Sequence, residues 1–306
     1  MSMTWSLPYT LHLGYRPPEY RPQFAATVGS LDPVAHVRYA AELGMRGVLY
    51  PWAATRPAEE VRAVAQALRD YDLINSAVLA LPRDSVRFDA WSDDSLRGRR
   101  AIEQIATRTA ELAVTLQSST LAVLLAYPAD AALGDKLSRR VSWERSVGSV
   151  AQLAAIAADR GLRVGIEPLL SIEAAMLRST QDAVDFVKQV AAPNLGIIYD
   201  TGHVASMGED LVQALGQCAR YLERVQFADQ PGRVEPGGGA LPIVDVALEL
   251  SRVGYSGLVD LEHGWTKETA DGERVGLDRL RAFDAAVAAG RASPSVQSRP
   301  ITHLSV

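Results

Sequence analysis

Short apolar runs, many of them β-branched, recur along this chain, each followed by a longer stretch with helical period. That alternation is the feature that most limits what it can fold into. The runs lie at Gly47–Tyr50, Ser76–Leu81, Thr120–Ala126, Arg163–Glu167, Leu195–Tyr199, Arg224–Ala228 and Gly257–Leu261, with a less apolar eighth at Thr10–Leu13. Strands that alternate with helices build a parallel sheet, because each crossover helix returns the chain to the same edge. Between the runs the period changes from two to 3.6. Over Pro242–Val253, for instance, Ile243, Val246, Ala247 and Leu250 fall on one helical face. Ser179 or Thr180 is placed to cap a helix through Val190, and Gly161 and Gly254 stand where helix C-terminal glycines belong.

Eight strands and about eight helices in strict alternation predict a closed (β/α)8 TIM barrel rather than an open doubly wound sheet. The 306 residues suffice for one such domain, read here as 1–290, with a Ser- and Pro-bearing tail at 291–306 that is either disordered or packed on a partner subunit. The polar stretch Pro82–Arg97 follows the third run and is expected at the catalytic face or as a solvated insertion. A formal charge of −5 gives no basic face for nucleic acid. Cys218 is the single cysteine, so an internal disulfide, a Cys-rich zinc site and a redox CxxC pair are excluded; within a helical segment it reads as a small buried apolar group. No apolar stretch is long enough to cross a membrane and no leader-like pattern opens the chain, so a cytoplasmic location is expected.

Four polar residues occur at or near the ends of apolar runs: Glu167 closes RVGIE, Asp200 follows LGIIY, Gln226 lies in RVQFAD and Glu262 closes GLVDLE. Their separations of 33, 26 and 36 residues are each about one strand–helix repeat, so they would come from four successive strands. Singly, each is most simply a helix cap or a solvated loop residue. Together they put three carboxylates and an amide oxygen on one end of the barrel, a hard all-oxygen set that suits Mn²⁺ or Mg²⁺ better than a structural zinc.

The segments GIEP (165–168), YDTGH (199–203), VQFADQPGRVEPGGG (225–239) and GYSGLVDLEH (254–263) resemble the xylose-isomerase-like TIM-barrel superfamily, in particular its hydroxypyruvate isomerase and ketose 3-epimerase branch. The likeness is firm over Arg163–His263 and looser upstream. It implies a sugar or hydroxy-ketone isomerase or epimerase with one divalent ion, Mn²⁺ foremost and Mg²⁺ or Co²⁺ as substitutes, held by Glu167, Asp200, Gln226 and Glu262. Glu167 and Glu262 match the two carboxylates that take and return a proton at the carbon beside the carbonyl. His203 and Arg233 match residues that hold the substrate's oxygens, and Glu173 stands where the epimerases have a further substrate contact. Gln226 follows the hydroxypyruvate isomerase pattern, since the epimerases usually place His there. Oligomers are common in the family, and the tail could serve one.

The chain also departs from that pattern. Where the sugar isomerases carry Val-Glu after strand two, it has Val48-Leu49-Tyr50-Pro51-Trp52, and His263-Gly264-Trp265 follows Glu262. Trp52, with Tyr50, Trp91 and Trp265, is a candidate aromatic wall for a less polar substrate, though each alone reads equally as packing; His12 is a candidate pocket residue. These departures keep a metal-dependent lyase or dehydratase open as a second enzyme class and a non-catalytic sugar-binding protein as a third. A multi-metal DNA-repair endonuclease is disfavoured by only five histidines and by Gln226 standing where a His is wanted. The glycines at 237–239 lack the Gly-Lys-Ser of a phosphate cradle and read as loop.

Overall fold

The structure, a computed structural model, describes residues 4–14, 19–81, 89–132, 136–172 and 174–292. The strands in chain order are β1 (Tyr9–His12), β2 (Gly47–Leu49), β3 (Ile74–Asn75), β4 (Ala77–Leu79), β5 (Thr120–Val123), β6 (Arg163–Ile166), β7 (Leu195–Asp200), β8 (Leu222–Phe227) and β9 (Val259–Leu261). All their pairings are parallel, in the order β3-β2-β1-β9-β8-β7-β6-β5-β4. β3 and β4 are two halves of one stave. β3 pairs with β2, β4 pairs with β5, and Ser76 between them donates its N–H to Val48 O at 2.8 Å. The sheet therefore closes into the eight-staved barrel that the alternation predicts.

Alternation along each strand separates two cores. Val48, Val78, Leu121, Val164, Ile197, Val225 and Val259 point outward and pack with the helices in one large cluster. Leu49, Ala77, Leu79, Leu81, Ala122 and Ile198 form a second, smaller cluster, on the alternate positions that face into the barrel. Two irregularities turn polar groups inward below it. The interruption at Ser76 aims its Oγ at Asp260 Oδ2, 2.9 Å away, where Thr10 also donates to Oδ1 at 2.5 Å. A register slip between β7 and β8 leaves Glu223 unmatched, and its carboxylate accepts from Thr120 Oγ1 at 2.7 Å and pairs with Arg163 and Arg224. These networks plug the N-terminal end of the barrel, the end that carries stability in this architecture.

Local signals read from the sequence place the helices closely. Ser179 caps Thr180–Val190 by accepting from Asp182 N at 3.0 Å. Ile243–Arg252 buries Ile243, Val246, Ala247 and Leu250. Cys218 is buried at the end of Leu211–Cys218. Among the described residues no helix is long and apolar enough to cross a membrane. The tail beyond Ala292, Glu173 and positions 82–88 of the polar stretch lie outside the described residues.

Gly196 shows how tightly the barrel is wound. A Cβ there would sit 2.6 Å from Tyr221 O and 2.8 Å from Glu223 Cβ, inside van der Waals contact with the neighbouring stave. Gly196→Ala is expected to lower stability by about 2 kcal/mol, because both contacts belong to or adjoin backbone that cannot rotate away. A urea denaturation midpoint unchanged from the parent would contradict that packing.

Candidate active site

The carboxyl ends of β6 to β9 bring together the residues singled out in the sequence. Glu167 directly follows β6, Asp200 ends β7, Gln226 lies in β8 beside Asp200 in the ladder, and Glu262 directly follows β9. Asp200 also caps the short helix Thr201–Ser206, its Oδ1 accepting from His203 N at 2.8 Å. The helix-cap reading of a carboxylate after a strand therefore holds here, and it does not compete with a role in the site. The cap fixes the carboxylate and swings the His203 ring toward Glu167, with Nε2 3.4 Å from Oε1. One ligand atom each from Glu167, Asp200 and His203 lies within 4.8 Å of the others.

Arg233 enters from the loop after β8. Its guanidinium grips Asp200 through two contacts, Nη2 to Oδ2 at 2.9 Å and Nη1 to Oδ1 at 3.2 Å, and Nη2 lies 3.4 Å from Glu262 Oε2. Gly202 makes room for it, since a Cβ there would meet Arg233 Nη1 at 3.0 Å and Asp200 Oδ1 at 3.2 Å.

Three buried carboxylates face this one guanidinium, and their protonation is unequal. Burial pushes the Glu167 carboxyl well above the usual range, and repulsion from Glu262 and Asp200 adds to it. Burial likewise raises Glu262 to about 8. Burial acts on Asp200 in the same direction, but the Arg233 guanidinium and the His203 interactions outweigh it and hold the group below its ordinary value. His203 is shifted downward by burial, which favours the neutral ring.

The donor set fits a divalent cation. Gln226 Oε1 is buried without a hydrogen-bond partner among the described residues, and Glu262 Oε2 has only the 3.4 Å ion pair with Arg233, which for polar oxygens this deep leaves a ligand's place open. Burial favours the protonated forms of Glu167 and Glu262, and a divalent cation would supply the positive charge that lets both ionise beside Asp200. Relative to the set read from the sequence, the geometry adds His203 to the group around Glu167 and Asp200.

Other expected site residues are placed differently. His12 occupies an inward position on β1, but its ring is engaged by backbone on both sides, Nε2 at 3.0 Å from His263 O and Nδ1 accepting from Gly14 N at 3.2 Å. Burial lowers it to about 3, so it is a neutral wall residue. Among the four aromatic candidates, Trp52 packs against the inner apolar cluster, whereas Tyr50, Trp91 and Trp265 belong to the outer core. Tyr50 donates its hydroxyl to Glu60, and Trp265 donates to Gln23 O at 2.5 Å.

Two residues that sequence reasoning did not single out organise the Arg233 loop. Asp229 accepts four backbone N–H groups, from Gln230, Gly237, Gly239 and Leu241, at 2.8–3.1 Å. Glu235 ties the loop to the segment after β9, accepting from Thr266 N at 2.8 Å, Thr266 Oγ1 at 2.9 Å and Arg279 Nη1 at 2.5 Å. The available signal was an Asp just after a strand and ahead of a Gly-rich turn, whose free N–H groups need an acceptor.

A family model described as xylose isomerase-like TIM barrel matches residues 37–283. A D-psicose 3-epimerase of Ruminiclostridium cellulolyticum is 32% identical over 126 residues, 41% of this chain and 43% of the relative, so the chain spans less than half the length of that relative. A 2-oxo-tetronate isomerase of Haemophilus influenzae is 24% identical over 237 residues, covering 76% of this chain and 88% of the relative. Among solved structures, D-psicose 3-epimerase with D-tagatose from Clostridium cellulolyticum H10 superposes with a TM-score of 0.70 at 20% identity, over 93% of this chain and 98% of that one; at this identity the likeness concerns the fold.

Proposed function

This chain belongs to the xylose isomerase-like TIM-barrel family, and on that premise we propose that it is a divalent-metal-dependent isomerase or epimerase of a hydroxy-ketone or sugar. The observation that carries the reading is the convergence of Glu167, Asp200, His203, Arg233 and Glu262 with the unpartnered oxygen of Gln226 at one end of the barrel. The two relatives, an epimerase and an isomerase, support the same reaction type.

Glu167, Asp200, Gln226 and Glu262 would hold the ion, with His203 beside them and Mn²⁺ as the expected metal. When bound, it supplies positive charge for the substrate's carbonyl and hydroxyl oxygens as negative charge develops on them. The chain's own residues do the rest. A proton leaves the carbon beside the carbonyl to one of Glu167 and Glu262, giving an enediolate, and the other returns a proton, to the opposite face or to the adjacent carbon. Arg233, which grips Asp200 and lies beside Glu262, would be within reach of a substrate oxygen, and its planar fork suits a pair of them. His203 is a second donor at the same oxygens.

Metal analysis of the purified protein tests the site directly. The wild type is expected to carry or take up about one divalent ion per chain and to rise in melting temperature when Mn²⁺ is added, as any ligand of the native state requires. Asp200→Ala should abolish both responses. No uptake and no shift with any divalent ion would remove the reading and leave a non-catalytic binding protein.

A further inference from the structure

The inside of the barrel is divided. The staves β6 to β9 present Glu167, Asp200, Gln226, Asp260 and Glu262 to the interior, whereas β2, β4 and β5 present aliphatic groups. Leu49 ends β2, Leu79 ends β4, and Leu81 and Leu124 follow β4 and β5, so the apolar groups rise to the same mouth as the carboxylates. Trp52, on the turn Pro51–Thr55 after β2, packs against this group. Trp52 and Leu124 are half-buried while Leu49, Leu79 and Leu81 are fully buried, so those two are the members that meet whatever enters.

A polyhydroxylated chain lying across this mouth would place hydroxyls against a wall of hydrocarbon, where each loses hydrogen bonds to water and gains none. A wall able to hydrogen-bond every substrate hydroxyl would strongly reject analogues lacking them; among the described residues the inner cluster is wholly aliphatic, and of the two side chains packed on it only Trp52 carries a polar group, its indole N–H. An alkyl end, by contrast, gains by leaving water there. We propose that the substrate is a hydroxy-ketone with an apolar far end: its oxygen-bearing end faces Glu167, Asp200, Glu262 and Arg233, and a deoxygenated, alkyl-terminated end seats on Leu124 and Trp52, with the buried Leu79 behind them. The proposal rests on the proton-transfer reading of the same site and narrows its substrate class.

The test is calorimetric binding to the full, Mn²⁺-loaded chain of two probes that differ by one terminal hydroxyl, a pentulose and its 5-deoxy counterpart. The deoxy compound is expected to bind about tenfold more tightly, the low end of what one group's change is worth in an apolar pocket. Leu124→Asn should erase or reverse that preference. Trp52→Ala, at a second half-buried position, should weaken the deoxy compound selectively and serves if the first variant fails to fold. Equal affinities, tighter binding of the pentulose, binding of neither probe, or a preference untouched by both substitutions would each overturn the proposal. Loss of the carbon-bound proton to deuterated water, followed on the same wild-type samples, separates the two readings. Selective binding without exchange keeps the apolar seat and removes the proton-transfer chemistry, whereas exchange without selectivity does the reverse.

Discussion

Glu262→Gln is expected to lower turnover about 10³-fold, and Glu167→Gln by a similar factor, since a positioned acid or base contributes roughly 10²–10⁴. Glutamine keeps the size of the side chain and an oxygen for a cation, but it cannot accept or return the proton. Substrate affinity should therefore change far less than kcat. The same variant makes a stability prediction of opposite sign. In the cation-free protein the Glu262 carboxyl is raised from 4.5 to about 8 by burial. Between those values the folded state binds more protons than the unfolded one, so stability contributed by the neutral acid is present at low pH and lost as pH rises through about 8. The amide that replaces the carboxyl in Glu262→Gln has nothing to ionise. This variant, free of cation, should thus resist urea better than the wild type at pH 9, with the gap closing toward pH 5. A variant that is fully active, or one destabilised at pH 9, would contradict the role assigned to this carboxylate.

Asp229→Ala should be the most damaging change outside the cluster itself. Its carboxylate accepts four backbone N–H groups and so determines the course of the loop that delivers Arg233. The loop has no slack at that point. Gly239 approaches so closely that a Cβ would lie 2.4 Å from Asp229 Oδ1, and Asp229 and Val234 exchange backbone hydrogen bonds at 2.8 and 2.9 Å across the turn. Water can replace some of the lost acceptors, so the cost is about 3 kcal/mol rather than the sum of four charge-assisted bonds. For a chain of this size that is roughly 6 °C in melting temperature. Activity should fall further than stability explains, about 10²-fold, because a small displacement of Arg233 spoils its reach to Asp200 and to substrate. Asp229→Asn retains one acceptor oxygen and is expected to lie between the two. Equal melting temperatures for all three proteins would show that the loop is held by something else.

Much of this arrangement was legible in the sequence because it follows from local rules. Strand–helix alternation, the Ser179 cap and the face of Ile243–Arg252 each depend on a few neighbouring residues, and each is where the pattern placed it. The one-repeat spacing of Glu167, Asp200, Gln226 and Glu262 was enough to put them at one end of a barrel, since every stave runs the same way. What stayed hidden depends on departures from regularity. The turn at Ser76 and the register slip at Glu223 direct polar groups inward against the alternation, and no run of residues announces either. Asp229 and Glu235 sit in a quoted motif, yet their partners are backbone N–H groups and residues 31–44 positions away, which composition cannot reveal. The aromatic candidates divided for a related reason: Trp52 and Trp91 lie on short 3-10 turns and Trp265 in a loop, where the alternation of the strands does not set the direction of a ring.

Whether this site moves a proton at the carbon beside a carbonyl is read from solvent exchange. The Mn²⁺-loaded protein would be incubated with hydroxy-ketones in deuterated water and the carbon-bound proton followed by NMR. Loss of that signal is expected with the wild type and its retention with Glu262→Gln. Retention is also expected after the ion is removed by chelation, and renewed loss when Mn²⁺ is returned. No exchange with any hydroxy-ketone, or exchange that proceeds unchanged in Glu262→Gln, would contradict proton transfer at this site.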